Sequence, residues 1–238
     1  MPELSSLRVL TSLLALLVAL SVCAPLQTVH ASTSPLDGVG KLVYCGGPSW
    51  YCPGQVLTTT KGDDVVVLVV GSQPWVRPDL SIVDTAGLAF IQRAHLTNLG
   101  VWEFYARTES PLASDNFTVY SRGGLICPYC FQVFAVHGVS SRVFDSSPRF
   151  PLTVPSCPPF SCSASIGTVS HDFVIVTTAI GDSSDCVVPS GFTTLRSNGY
   201  YEVDYQIVGP TQTNLVFTCT GTEPISIVVD AISFHGSA

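Results

Sequence analysis

Charged side chains are scarce in this sequence of 238 residues. They make up 11% of it, against roughly 25% in an ordinary soluble domain. Lysine and arginine total ten and form no cluster, and the formal net charge is -7. Binding to nucleic acid depends on clustered basic side chains that neutralise phosphates. The composition therefore argues against nucleic acid as a partner, and the surface must take its polarity from uncharged residues.

Histidine is also sparse, and its spacing does not suit a metal ion. His95, His137, His171 and His235 show neither a His-x-His nor a His-x-x-x-His pattern, and no cysteine stands close to them as a second ligand. Zinc and copper need such sets of nitrogen and sulfur ligands. Acidic residues near predicted turns leave calcium as a weaker alternative, but no EF-hand pattern is present and such residues usually form turns. We predict no metal and no other cofactor.

A set of catalytic residues is missing too. Gly-Asp-Ser at 181–183 follows an apolar run, as in GDSL-type hydrolases, but no Asp-x-x-His pattern supplies a base, and a serine without one is inert. Glu202 and Asp204 share a strand face, as two glycosidase carboxylates could, yet this spacing more often marks a solvated face. Cys-Pro-Tyr-Cys at 127–130 has redox spacing but no helix to lower a thiol pKa. We predict that the protein is not an enzyme.

No segment after the N-terminal stretch shows the 3.6-residue period of a helix. The chain is instead organised around residues 64–71, an unbroken valine-rich run that opens with Asp64 and closes at Gly71. So short and apolar a run predicts a strand buried on both faces, because valine suits a pleated surface. Residues 171–182 repeat the plan, from an acidic residue through β-branched positions to a glycine.

The runs that follow each copy also match in order. Residues 102–106 correspond to 200–205, residues 116–120 to 214–218, and residues 131–136 to 225–232. Short apolar runs separated by turn residues are typical of an all-β antiparallel sandwich. The sequence therefore predicts two similar halves built on one strand order.

The N-terminus has the plan of a secretory signal peptide. Arg8 precedes an apolar stretch at 9–26, and Val-His-Ala at 29–31 predicts cleavage after Ala31. A retained membrane anchor is the alternative, because the stretch is about long enough to span a bilayer. We expect a secreted protein at a cell surface. The predicted order is a signal peptide at 1–31, a tail at 32–41, a first sandwich half at 42–145, a Pro/Ser-rich connection at 146–170 and a second half at 171–238.

Cysteine usage agrees with export. One of the nine cysteines lies in the signal peptide, and the even remainder predicts four disulfides in an oxidising compartment. Proximity along the chain favours three pairs and leaves a fourth as a staple within the second half. The predicted pairs are Cys45 with Cys52, Cys127 with Cys130, Cys157 with Cys162, and Cys186 with Cys219.

Two further features bear on binding and modification. Trp50 and Tyr51 stand in a loop that the predicted 45–52 disulfide would close, and with Trp75 they are candidates to contact a sugar ring or a partner surface. The alternative is that they cap the end of the sandwich, because tryptophan and tyrosine are commonly half-buried. Asn116 opens an Asn-Phe-Thr glycosylation sequon. If used, it would place the start of that strand in solvent.

Several strand and turn patterns together resemble a known group of proteins. They are residues 64–71, Val-Asp-Thr-Ala-Gly at 83–87, residues 102–106, Val-Phe-Asp at 143–145, and residues 227–234. This order resembles secreted jelly-roll-like β-sandwich proteins, and among them the subunits of archaeal surface threads. The resemblance covers most of the chain after residue 31. It implies a sandwich head that accepts the N-terminal strand of a neighbouring copy, and it brings no catalytic residues.

We therefore expect a structural protein of the cell surface that assembles with copies of itself by strand donation. A sandwich that lacks one strand exposes unpaired backbone groups, and an extended segment from another copy would satisfy them. The donor segment at 32–41 contains Pro35, Gly38 and Gly40. An extracellular module that binds glycans or another surface through Trp50, Tyr51 and Trp75 is the alternative.

Overall fold

The computed structural model describes residues 34–42, 51–71, 79–96, 100–122, 131–157, 161–180, 186, 189–197, 201–209, 211–221 and 224–235. All of them belong to one unit of the chain, residues 34–238. The predicted signal peptide lies outside this set.

Every described element of regular structure is a β-strand, and every pairing is antiparallel. This confirms the predicted all-β class with antiparallel sheets. The strands are β1 (Leu36–Val39), β2 (Lys41–Leu42), β3 (Tyr51–Leu57), β4 (Asp64–Gly71), β5 (Asp79–Asp84), β6 (Ile91–Leu96), β7 (Val101–Thr108), β8 (Asp115–Arg122), β9 (Phe131–Val136), β10 (Val139–Phe144), β11 (Leu152–Cys157), β12 (Cys162–Thr168), β13 (Asp172–Ile180), β14 (Thr193–Ser197), β15 (Tyr201–Val208), β16 (Gln212–Cys219) and β17 (Ile225–Phe234).

The strands form four sheets, A to D. Sheet A has the order β1-β9-β4-β7-β6, and sheet B has the order β2-β3-β8-β5. Sheet C has the order β10-β17-β13-β15-β14, with β11 also paired to β17, and sheet D contains β12 and β16. Among the described strands each sheet keeps open edges, so none of the four sheets is closed.

The sheets stack as layers in the order B, A, C, D. Phe117 of sheet B belongs to the same buried cluster as the valines of β4 in sheet A. The opposite face of sheet A meets sheet C, where the rings of Phe134 and Phe173 lie 6.1 Å apart. A second cluster fills the space between sheets C and D, with Val174 of sheet C and Phe217 of sheet D among its members.

This layering explains the two valine-rich runs. Sheets A and C each have another sheet on both faces, so their central strands β4 and β13 are buried along their whole length. Val65 to Val70 are all fully buried. The prediction that residues 64–71 form a strand buried on both faces is therefore confirmed, and the alternation of apolar and polar residues is missing because neither face meets water.

Sheets A and C share one strand order. β4 and β13 lie at the centre, flanked by β9 and β17 on one side and by β7 and β15 on the other. β6 and β14 follow as the next strands outward. In the outer sheets, the pair β3-β8 corresponds to β12-β16, but β5 has no counterpart among the described strands of sheet D.

Residues 146–170, predicted as a connection, contain two strands. β11 pairs with β17 in sheet C, and β12 pairs with β16 in sheet D. β12 alternates exposed serines with small or apolar buried residues, and Pro155 stands in β11, a strand with one described neighbour. Proline is tolerated on such an edge. The proline and serine residues in this part of the sequence hide the alternation of buried and exposed side chains that marks β12 as a strand.

Candidate functional site

Two of the four predicted disulfides lie among the described residues. Cys157 bonds to Cys162 with an S–S distance of 2.10 Å, and Cys186 bonds to Cys219 at 2.07 Å. The second bond ties Cys186 to the end of β16. Cys45, Cys127 and Cys130 fall outside the described part of the chain, as does the side chain of Cys52.

We expect the Cys186–Cys219 bond to stabilise the fold more than the Cys157–Cys162 bond. The bonded cysteines are 33 and 5 residues apart, so loop-closure entropy predicts losses of about 4 and about 2 kcal/mol when each is replaced by a serine pair. Urea unfolding of the two double variants measures both losses. Equal losses would show that chain entropy does not govern the effect.

The remaining predicted site residues are only partly described. Trp50, Trp75 and Ser183 lie outside the described residues, and Tyr51 is described only as part of the backbone of β3. Asn116 is half-buried in β8, which pairs with both β3 and β5. The described part of the structure includes no contact among Trp50, Tyr51 and Trp75.

Neither a metal cluster nor a membrane span is found among the same residues. No group of three or more histidine, cysteine, aspartate or glutamate side chains is arranged to hold a metal ion there. Within that part of the chain no helix is long and apolar enough to cross a membrane.

The first candidate site is the seat of the N-terminal segment, residues 34–42, between sheets A and B. β1 pairs with β9 at the edge of sheet A, and β2 pairs with β3 at the edge of sheet B. At the crossing point, the Gly40 N–H donates to the Val133 carbonyl at 2.8 Å. The segment therefore passes from one layer to the next and lies at the edge of both sheets.

Two glycines allow the segment to fit this seat. A Cβ on Gly38 would lie 2.5 Å from the Thr58 carbonyl oxygen, and one on Gly40 would lie 2.4 Å from Gln55 Oε1 and 2.5 Å from Val133 Cγ1. Any other residue would force the backbone or its neighbours to move. Glycine ordinarily weakens a strand, but Gly38 and Gly40 are required here because their neighbours pack too closely for a side chain.

A carboxylate fastens the same segment. Asp37 accepts hydrogen bonds from the backbone N–H groups of Thr60 and Lys61, both at 2.8 Å, and from the Thr60 hydroxyl. Burial alone would raise the pKa of Asp37, but these hydrogen bonds outweigh it and hold the pKa below its ordinary value. A charged Asp37 is therefore the favoured form in the seat.

The first residue of β4 lies behind this carboxylate. Asp64 is fully buried, and its Oδ1 contacts His137 Nδ1 at 2.8 Å. Burial raises the pKa of Asp64 to about 6, and the nearby Asp37 adds to the rise while His137 opposes it. Asp64 Oδ2 has no hydrogen-bond partner among the described residues, so a proton on this oxygen would turn it into a donor.

The second half contains an equivalent arrangement. Asp172 opens β13 as Asp64 opens β4, and its Oδ1 accepts hydrogen bonds from the hydroxyls of Ser170 and Ser233. Burial raises the pKa of Asp172 to about 6, and the nearby Asp145 adds to this rise. Asp172 Oδ2, like Asp64 Oδ2, lacks a partner in the described structure.

Asp145 is the counterpart of Asp37. Its carboxylate accepts hydrogen bonds from the N–H groups of Ser147, Val169 and Ser170, at 2.6, 2.8 and 3.2 Å. Burial would raise the pKa of Asp145, but these bonds bring it below its ordinary value. Each half thus joins a charged aspartate that fastens a loop to a buried aspartate whose pKa is raised.

A third acidic pair lies on β15. Glu202 and Asp204 are 1% and 0% exposed, so the expectation that they mark a solvated face is wrong. They lie on the side of sheet C that faces sheet D, and sheet D has no described counterpart of β5. Cys186 and Phe192 lie near sheet D because they contact Cys219 and Phe217. Burial, followed by the charge of Asp204, raises the pKa of Glu202 to about 8.

A fourth acidic pair lies between sheets A and C. Arg93 of β6 donates from Nε and Nη2 to Asp230 of β17, at 2.6 and 3.2 Å. Glu103 of β7 is fully buried nearby, and neither of its oxygens has a partner within the described structure. Burial raises the pKa of Glu103 well above its ordinary value, and the charge of Asp230 raises it further. One arginine therefore faces two buried carboxyl groups.

Sequence reasoning noticed that each valine-rich run opens with an acid but missed what these acids contact. Their partners come from residues far away in the chain, and no local spacing reveals them. The sequence predicts the N-terminal segment as a donor strand, but it does not predict the close fit of its glycines, because that fit depends on β3 and β9.

The described residues define an all-β protein of stacked antiparallel sheets with disulfide bonds, which are compatible with an extracellular location. Comparisons with protein-family models, with curated proteins and with solved structures found no match to this chain.

Proposed function

We propose that this chain is a secreted structural protein that assembles with other copies by exchanging its N-terminal segment, residues 34–42. The observation that carries the proposal is the seat of this segment at the edges of sheets A and B. In an assembly, the segment of one copy would occupy the same seat in the next. The resemblance to subunits of archaeal surface threads belongs to this proposal.

A jelly-roll fold is part of the proposal, and the path of the chain in the first half supports it. From β3 to β6 successive strands alternate between sheets B and A; β6 and β7 then follow each other in sheet A, and β8 and β9 lie in sheets B and A. Jelly rolls are two-sheet sandwiches built from two Greek keys. β1 and β2 come first along this path. Each pairs with one described strand, β1 with β9 and β2 with β3, so both are edge strands.

Exchange of this segment would cost little, because its contacts are the same within one copy and between two copies. β1 has four residues and an irregular register between Leu36 and Gly38. The segment precedes every other described strand, so it can leave without drawing another element with it. Concentration then decides between the closed and exchanged forms.

Export is supported by the predicted signal peptide at 1–31 and by the two disulfides, which persist in oxidising compartments. Few charged side chains and only two lysines suit a durable extracellular module. The partners in this proposal are copies of the same chain, and no catalytic role is part of it.

Size-exclusion chromatography with light scattering, together with negative-stain electron microscopy, tests the exchange. We expect polymers from a chain that starts at Ser32 after refolding at high concentration, and monomers from a chain that starts at Leu42. A Gly40→Val variant of the chain that starts at Ser32 should also stay monomeric, because the added side chain would clash with Gln55 and Val133. Gly209→Val is the matched control, since a Cβ there meets nothing within 4 Å.

A peptide of residues 34–42 separates exchange from general aggregation. The Gly40→Val chain keeps an open seat and should bind this peptide, whereas a peptide that carries the same substitution should not bind. A full-length chain that stays monomeric at every concentration, together with no binding of the peptide, would show that the segment does not exchange.

A further inference from the structure

A surface cavity of about 560 Å³ lies where β10 leads into the turn at 145–150. Its polar lining includes Arg93, Arg142, Ser146 and Ser147, and its apolar lining includes the rings of Tyr105, Phe144 and Phe150. A smaller cavity of about 210 Å³ shares Arg142, Phe144 and Ser146 with it. Two guanidinium groups thus face one groove in a chain whose net charge is -7.

Arg93 is held in place at the wall of the cavity. Asp230 accepts one hydrogen bond from Nε and one from Nη2, and the guanidinium carbon lies 4.1 Å from the centre of the Phe144 ring. Tyr105 packs edge-on against Phe144, with the ring centres 4.8 Å apart. The ion pair and the stacking fix the guanidinium plane, while the side chain still lines the cavity.

Arg142 supplies the charge that no neighbour neutralises. Its side chain is exposed on β10, and no described residue forms a hydrogen bond or an ion pair with it. The one acid that lines the larger cavity is Asp145, whose oxygens are taken by the backbone N–H groups of Ser147, Val169 and Ser170. Since Asp145 is only 5% exposed, it does not compete with an incoming anion for Arg142.

We propose that this cavity binds an anionic sugar, with Arg142 and Arg93 facing its acidic group and Ser146 and Ser147 facing its hydroxyls. Guanidinium groups match the geometry of carboxylate and sulfate oxygens. Aromatic rings beside a few polar groups are common in ligand sites that take an amphipathic ring. The site is independent of the seat of residues 34–42, so it does not depend on strand exchange.

Isothermal titration calorimetry of the full chain tests the site with glucuronate, glucose 6-sulfate and glucose. We expect one or both acidic sugars to bind and glucose not to bind. Arg142→Gln should raise the dissociation constant at least about tenfold, because a charge-assisted contact is lost. The affinity should also fall as salt is added, because the groove is open to solvent. The tighter of the two acidic sugars identifies the preferred anionic group.

Arg107→Gln is the matched control, because Arg107 is an exposed cation on β7 and lines neither cavity. Thermal unfolding of both variants should match that of the parent, since neither side chain is buried. Equal binding of glucose, no binding of either acidic sugar, or unchanged affinity in Arg142→Gln would each overturn the proposal.

Discussion

Raising the pH from about 5 to about 9 is expected to lower the free energy of unfolding by about 3 kcal/mol or more. The cause is the set of buried carboxyl groups whose pKa values are raised in the folded protein. Burial raises the pKa of Asp64 and of Asp172 to about 6 and that of Glu202 to about 8. Burial also raises the pKa of Glu103, Asp204 and Asp230.

The sign follows from proton binding. A carboxyl group with a raised pKa holds its proton in the folded state at a pH where the unfolded chain has lost it. Its stabilising contribution is therefore complete below about pH 4 and is lost as the pH rises through the folded pKa. For Asp64 and Asp172 the loss runs to about pH 7, and for Glu202 it continues to about pH 9.

Groups with lowered pKa values do not cancel this trend. Asp37 and Asp145 have pKa values below their ordinary range, so their contribution is present above about pH 4 and is lost only in stronger acid. Burial lowers the pKa of His95, which opposes the trend near pH 6 as a single group. Linkage gives a loss of about 1.5 kcal/mol from each of Asp64 and Asp172 over this range, before Glu202 is added.

Urea unfolding at several pH values measures the trend. Asp64→Asn, Asp172→Asn and Glu202→Gln should each flatten the dependence in the window of the group that they remove. Asp79→Asn is the control, because Asp79 is exposed on β5. If stability were constant or higher at about pH 9, the buried carboxyl groups would have to be charged and compensated in the folded state.

The centre of the fold could be predicted from the sequence because its signal is local. Val65 to Val70 are apolar at successive positions, and only a strand between two other layers can bury such a run. The repeat of this run at β13 predicts a second sheet of the same kind. β12 escaped prediction because its buried positions include Ala164, and a small residue beside serines gives a weak period of two.

The acidic pairs could not be predicted because each depends on residues far apart in the chain. Asp64 meets His137, and Arg93 meets Asp230, only after sheets A and C have formed. The spacing of Glu202 and Asp204 predicts a solvated face, because acids are usually exposed. They are buried because sheets C and D stack and because Cys186 and Phe192 lie beside sheet D. Neither feature appears in the spacing of the residues themselves.

Arg93→Gln is expected to destabilise the fold by about 3 to 5 kcal/mol at neutral pH, the usual range when one partner of a buried ion pair is removed. Arg93 is the only cation bonded to Asp230 in the described structure, and Glu103 beside it has no hydrogen-bond partner there. Without the guanidinium group, Asp230 must either stay charged in an apolar layer or take up a proton. The loss should therefore shrink as the pH falls towards about 5, where protonation is easier.

Glu103→Gln provides the complementary test, because it removes the carboxyl group that competes with Asp230 for Arg93. We expect this variant to be as stable as the parent or more stable at neutral pH, and to recover part of the loss when combined with Arg93→Gln. Arg107→Gln is the matched control, since Arg107 is exposed and, among the described residues, bonds only to the Ser140 carbonyl. Its loss should be about 1 kcal/mol or less. Urea unfolding of the parent, Arg93→Gln, Glu103→Gln and the double variant at about pH 5 and about pH 8 gives the coupling between Arg93 and Glu103. An Arg93→Gln loss no larger than that of Arg107→Gln would mean that the layer between sheets A and C admits enough water to solvate Asp230 without its arginine.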